Sequence, residues 1–291
     1  MKIKNILSAL LIILTFLFCI SCSKTSNEKN SKKEQIIVST PPLKWTVEKI
    51  AGNDFEVSSI VNQNMNHELF EPKPRDLVTL ETSKIFFIYG TLPFEKQIMS
   101  SLSDTSKVVN VIDGIDSNLL LKSTHGEDTT EATDPHVWFS LDIMPMIAEN
   151  IKNKLIAKYP NKKDQFEANY TKFINEISAF KTKIDKDLNS KSNKSFIIYH
   201  PALNYFLKDR DLFQIEVEQD GKEPSAKYIQ TIIDVARSKN IKTILVQPQF
   251  PKHKVCGEYV SNEIKGSKVI PFNVLEENIF ENLQKFVNDL N

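Results

Sequence analysis

The sequence predicts an α/β protein made of two lobes, each a mainly parallel four-stranded sheet flanked by helices, with one long helix joining them. Three observations lead there. Short β-branched runs alternate with helical patterns in two separate blocks, four runs in each. Between the blocks an apolar stripe recurs at helical spacing from Phe166 to Leu188. No internal repeat of short period is present in the sequence, which sets aside a solenoid.

At the N-terminus, Lys2 and Lys4 precede an apolar run from Ile6 to Ile20. That run is short for a bilayer span but suits the apolar region of a secretory signal. Ser21-Cys22 follows, and a cysteine behind a small residue resembles the lipobox of bacterial lipoproteins, where the cysteine is acylated and becomes the new N-terminus. Cys19 stands where that motif usually has leucine. Residues 1–21 are therefore expected to be a lipoprotein signal peptide and Cys22 the lipidation site. Cleavage there removes two lysines and no acid, leaving a slightly negative mature chain whose remaining cysteine, apart from Cys22, is Cys256. No disulfide can then staple the fold, so an ample core must hold it. Ser23 to Gln35 contains no hydrophobic residue, and 22–35 reads as a disordered tether of roughly 20 Å reach.

Residues 36–140 are expected to form the N-terminal lobe, with strands at Ile36–Thr40, Phe55–Val61, Lys84–Gly90 and Lys107–Ile112. Residues 141–190 form a helical linker. Its stripe of Phe166, Tyr170, Phe173, Ile174, Ile177, Phe180, Ile184 and Leu188 lacks sustained heptads, so it predicts one long helix packed across both lobes rather than a coiled coil. Residues 191–291 form the C-terminal lobe, with strands at Ser195–His200, Phe213–Glu218, Lys242–Gln247 and Lys268–Phe272.

Composition narrows the function. The 37 basic and 37 acidic residues cancel, which argues against a broad nucleic-acid footprint. None of the seven glycines is spaced as in a dinucleotide fingerprint, and Gly221-Lys222 has Glu216 where a P-loop requires its first glycine. Nucleotide chemistry through either loop is excluded.

Three of the five histidines fall at comparable places. His67 follows the second strand, His136 precedes a helical pattern, and His200 ends the fifth strand. In open α/β sheets ligands bind beyond the carboxyl ends of the strands, so imidazoles from both lobes can meet in the cleft between them. Neutral imidazoles suit zinc, copper, nickel or ferrous iron. Their spacings of 69 and 64 residues form no local metal motif, and periodicity alone leaves the site open.

The surrounding residues add a resemblance. His67 with Glu71-Pro72-Lys73-Pro74-Arg75-Asp76 is similar to the His-x-x-x-Glu-Pro-x-Pro-x-Asp segment of the zinc and manganese substrate-binding lipoproteins of ABC transporters (cluster A-I). Asp134-Pro135-His136-Val137-Trp138 resembles their Asp-Pro-His-x-Trp segment, and Tyr199-His200-Pro201 their third metal-binding segment, where histidine marks zinc-type members. Glu216 to Pro224 and Gln247-Pro248-Gln249-Phe250 match in order and spacing, so the resemblance covers roughly residues 36 to 291.

That resemblance implies two lobes joined by a rigid helix, with a metal between them held by His67, His136 and His200. It also implies a binding protein rather than an enzyme: a lipid-anchored monomer in the cell envelope that captures Zn2+ and delivers it to an ABC permease. Its alternatives are a manganese or other divalent-metal receptor of the same type and an exported zinc hydrolase with Glu71 as base, although the chain has no His-Glu-x-x-His helix. An adhesin role is compatible with the first reading. The chain departs from the family at Phe272-Asn273-Val274-Leu275, where an aspartate ligand is frequent. The candidates for the fourth position are then water, Asn273 through its carbonyl, or a nearby carboxylate such as Glu71, with Asn273 and Glu71 also candidates for a hydrogen-bonding neighbour of a ligand. Loss of that carboxylate favours zinc over manganese. Asp76, Glu216 and Glu223 are further candidates to accept from ligand rings. Ser123 to Ala132, with His125, reads as a solvated acidic loop, His253 as a surface residue, and Cys256 as a small core residue.

Overall fold

The computed structural model describes residues 33–123, 132–208, 210–218, 224–250 and 253–290, the last from 257 onward with side chains. The signal peptide, Cys22, residues 22–32 of the tether, His125 and its acidic neighbours, and Glu223 lie outside the described residues. The side chains of His253 and Cys256 do as well.

Among the described residues eight strands form, one at each expected place: β1 (Glu34–Val38), β2 (Phe55–Ser59), β3 (Phe86–Ile88) and β4 (Val108–Asn110), then β5 (Ser195–Ile198), β6 (Phe213–Glu216), β7 (Thr243–Val246) and β8 (Lys268–Pro271). They pair in two sheets, ordered β2-β1-β3-β4 and β6-β5-β7-β8, and every pairing is parallel. Strands such as Phe86–Ile88 and Thr243–Val246 are buried along their whole length, as sheets covered on both faces require. Extended backbone runs beyond the ladders, since Ser39 donates to the Phe87 carbonyl at 3.0 Å. β1 begins at Glu34, so the last two residues assigned to the tether are strand.

Nine helices are described: α1 (Pro41–Ala51), α2 (Pro74–Thr82), α3 (Pro93–Ser101), α4 (Met144–Lys158), α5 (Lys163–Asn189), α6 (Asn204–Leu207), α7 (Ala226–Ser238), α8 (His253–Glu263) and α9 (Ile279–Asp289). The first four have proline at their first or second position, where its missing N–H costs nothing. α1 buries Leu43, Thr46, Val47, Ile50 and Ala51, one face at helical spacing, and stops at Gly52, whose φ of 74° suits glycine. The fully buried Glu95 of α3 accepts the N–H groups of Tyr89 and Leu92 at 3.0 and 3.1 Å, tying the start of α3 to the end of β3.

The 141–190 region is helical as expected, a first helix preceding the long one that the stripe predicts. α4 leads into the 27-residue α5, about 40 Å long, which buries Phe166, Phe173, Ile177, Ile184 and Leu188. α5 touches both lobes. Trp45 of α1 meets Phe173 and the α9 residue Phe280 edge-on, with centroids at 5.4 and 4.9 Å, while Phe180 stacks on Phe280 at 4.2 Å. Lys44 pairs with Glu277 at 2.9 Å beside these rings. One apolar core therefore runs from the first sheet through α5 to α9. A second, smaller core fills the side of the C-terminal sheet that α7 covers.

Candidate metal centre

His67 and His200 follow the carboxyl ends of β2 and β5, one strand from each sheet, and His136 stands before a short 3-10 turn. The segment from 60 to 73 follows β2. Within it Asn66 Oδ1 accepts the N–H groups of Glu68 and Leu69 at 2.9 and 3.1 Å, a local turn that Asn favours. The turn brings His67 and Glu68, neighbours in sequence, to the same place. His67 is fully buried, with its ring edge-on to Trp138 at 5.7 Å.

His136 precedes a short 3-10 turn at Val137–Phe139 and is 2% exposed. Asp134 Oδ1 accepts both its backbone N–H and its Nδ1–H, each at 2.9 Å. That bond leaves Nε2 as the ring nitrogen turned toward the other histidines. Nε2 of His136 faces Nε2 of His67 at 3.1 Å, while the other ring nitrogen of His67 is buried with no partner among the described residues. Burial works against the Asp134 anion, but bonds and charge from His136, with a bond from Asn204, hold its carboxyl below the usual range.

His200 lies just past β5 and is 1% exposed. Its Nδ1 meets Glu218 Oε2 at 2.5 Å and its Nε2 lies 3.3 Å from Glu68 Oε1. The His136 and His200 ring centroids are 5.2 Å apart. Burial opposes protonation of His200, yet Glu68 and Glu218 outweigh it and raise its pKa to about 10. His67 goes the other way: burial, followed by the charge of His136, lowers its pKa to about 3. Burial opposes the Glu68 anion too, but His200 and the other two rings hold its carboxyl well below the ordinary range.

Donor atoms of His67, Glu68 and His136 lie within 4.8 Å of one another, with His200 Nε2 against the same carboxylate. The structure thus brings together the three predicted histidines and a carboxylate, a nitrogen-rich donor set suited to zinc. Glu68 was not among the sequence candidates. Glu71, which was, is exposed. Asn273 lies elsewhere in the cleft network: its Oδ1 accepts from Gln249 Nε2 and, at 2.9 Å, from Leu275 N–H. The ring-supporting carboxylates are Asp134 and Glu218. Asp76 instead accepts the Lys73 N–H at 2.8 Å at the start of α2, and Glu216 Oε1 accepts from Gln214 at 3.1 Å.

A family model described as zinc-uptake complex component A, periplasmic, matches residues 36–289. Zinc-binding protein AdcA of Streptococcus pyogenes serotype M3 is 29% identical over an alignment of 237 residues that covers 73% of this chain and 45% of that protein. The chain thus spans about half the length of the curated AdcA relatives it matches. The metal ABC transporter substrate-binding lipoprotein FimA of Streptococcus parasanguinis is 25% identical over 261 residues, 84% of this chain and 82% of that one. A crystal structure of ZnuA superposes with a TM-score of 0.79 at 28% identity, covering 89% of this chain and all of that one. The chain belongs to the family of zinc-uptake complex component A.

Proposed function

We propose that this protein is an extracytoplasmic receptor that captures Zn2+ and passes it to an ABC permease. The observation that carries the reading is the buried cluster itself. Three imidazoles and one carboxylate converge from both lobes, and two of the imidazoles are braced by carboxylates on their far nitrogens. In this reading Nε2 of His67, His136 and His200 and one oxygen of Glu68 hold the ion. Glu68 supplies the carboxylate for which position 273 and Glu71 were the sequence candidates.

The residues do no bond-making chemistry on a substrate. Asp134 and Glu218 fix which ring nitrogen of His136 and His200 is presented, and burial shields the ion from competing water. The AdcA and ZnuA relatives, and a zinc-bound ZnuA variant that superposes with a TM-score of 0.78 at 28% identity, support zinc as the cargo. Relatives named as lipoproteins support acylation at Cys22 and anchoring in the cell envelope. The signal peptide 1–21 and the tether 22–35, shortened at Glu34, belong to the same reading.

Titration of the metal-free protein with zinc, manganese and nickel tests it, beside His67→Ala, His136→Ala, His200→Ala and Glu68→Ala. One tight zinc site, with manganese much weaker and every variant impaired, is the expected result. Tight manganese binding that survives His200→Ala makes the protein a manganese receptor instead. Absence of any tight site removes the function and leaves the fold.

A further inference from the structure

The segment Gln247-Pro248-Gln249-Phe250 matches the family in order and spacing but supplies no donor to the metal cluster. It lies immediately after β7, next to the end of β5. Gln247 is fully buried and brackets the His200 backbone. Its Oε1 accepts the His200 N–H at 2.9 Å, and its Nε2 donates to the His200 carbonyl. Phe250 stacks on the His200 ring at 4.3 Å and 20°.

Gln249, between them, reaches the other lobe. It is 4% exposed, and its Nε2 donates to the Gln63 carbonyl at 2.6 Å and to Asn273 Oδ1. The Gln63 carbonyl can only accept, and Asn273 Oδ1 already takes the Leu275 N–H at 2.9 Å. The orientation of the Gln249 amide is therefore dictated by its partners. Gln63 lies four residues before His67 in the same segment, and its own amide reaches Glu276 Oε1 of the C-terminal lobe at 3.4 Å. Further along, Leu69 is 78% exposed and the next apolar hold is Phe70 against Phe94 at 5.1 Å. His67 and Glu68 thus sit on a strap held on one side by Phe70 and on the other by the packing of Met65 and by the Gln249 amide at Gln63.

We propose that Gln249 is a positioning residue for the metal site: it ties the strap carrying His67 and Glu68 to the C-terminal lobe at the place where Gln247 and Phe250 hold His200. The donors from the two lobes are then brought into register by one four-residue segment. This rests on the assignment of the four donors above. A ligand loop whose anchor is removed must be ordered by the ion itself, and loss of a residue that orients ligands typically weakens metal binding about 10–100-fold.

The test uses the full chain with zinc, comparing wild type with Gln249→Ala and Gln249→Glu; the latter keeps the shape and loses the donor. Zinc affinity is measured by chelator competition, and hydrogen exchange with and without zinc is followed at 60–69 and at 134–138. Both variants are expected to bind zinc at least about tenfold more weakly. Zinc-induced protection at 60–69 should fall while that at 134–138 stays. In a His67→Ala/Glu68→Ala background, Gln249→Ala should cost less than about twofold, since the groups it positions are gone. Equal loss of protection in both segments, or the same fold-loss in that background, overturns the proposal and makes Gln249 a general stabilising residue. If Gln249→Ala fails to fold, Gln249→Glu carries the comparison. Wild-type protein without a tight zinc site would instead overturn the function, a separate failure.

Discussion

Zinc binding at neutral pH should release close to one proton per ion, and that proton comes from His200. Without metal, His200 lies between Glu218 on Nδ1 and Glu68 near Nε2, and the two carboxylates overcome burial to raise its pKa to about 10. His67, lowered to about 3 by burial and then by His136, has no proton to give near neutrality. An ion entering the cluster replaces the His200 proton between the same two carboxylates. Apparent affinity then falls about tenfold for each pH unit below that pKa, so lowering pH from about 8.5 to about 6.5 costs about 100-fold, or about 2.7 kcal/mol. Isothermal titration in buffers of differing ionisation enthalpy counts the protons directly as the slope of observed heat against buffer heat. Glu218→Gln removes one stabilising charge, so its proton count should drop at the upper end of that range. A slope near zero at about pH 7.5, with affinity flat across the range, would refute the reasoning and return His200 to an ordinary neutral imidazole.

Three further outcomes follow from the same contacts. The metal-free protein should melt highest near the unperturbed imidazole pKa of 6.5. Stability from His200, whose folded pKa is raised, is full below that point and is lost as pH rises toward about 10. His67, whose folded pKa is lowered, penalises the fold as pH falls from 6.5 toward about 3, so calorimetric melting points should decline on both sides. Asp134→Ala should weaken zinc binding about 10–100-fold by chelator competition, because one Asp134 oxygen holds both the ring Nδ1 and the backbone N–H of His136. Phe280→Ala should destabilise the fold by about 3 kcal/mol in urea melts, since it removes the ring that Trp45 and Phe180 both pack against.

The fold was legible because each of its signals is local. Strands buried on both faces must be short, continuous apolar runs, as in Ile36 to Val38 and Thr243 to Val246, and the turns between them are polar. The eight strands therefore stand where the runs stand, while their exact ends depend on where ladder bonds stop. The α5 stripe was legible for the same reason, since a helix that crosses two lobes must carry one apolar face along its length. His67 and His200 are legible as residues past strand ends and His136 as one before a helical pattern, but their meeting depends on how two sheets are set against each other, which no local pattern encodes.

Glu68 escaped sequence reasoning because adjacent residues of an extended chain point to opposite sides, so a neighbour of His67 is the last place to look for a second donor. The signal was Asn66, whose side chain closes the turn that puts both on one side. Glu218 was passed over for Glu216 and Glu223 in a related way: β6 ends at Glu216, and the chain bends before Glu218 reaches His200. Asn273 shows the converse. A missing carboxylate at that position read as a gap in the ligand set, but the structure gives the amide other work, accepting from Gln249 and from Leu275 N–H while the Asn273 carbonyl takes Asn282 Nδ2 at 2.7 Å. With Glu68 and Glu218 already on His200, a further anion at 273 would add to a cleft edge that holds Glu276 and Glu277. A neutral acceptor can receive the Gln249 amide there without that repulsion. On this reading position 68 supplies the carboxylate of the site, and Asn273 serves to hold the strap that carries it.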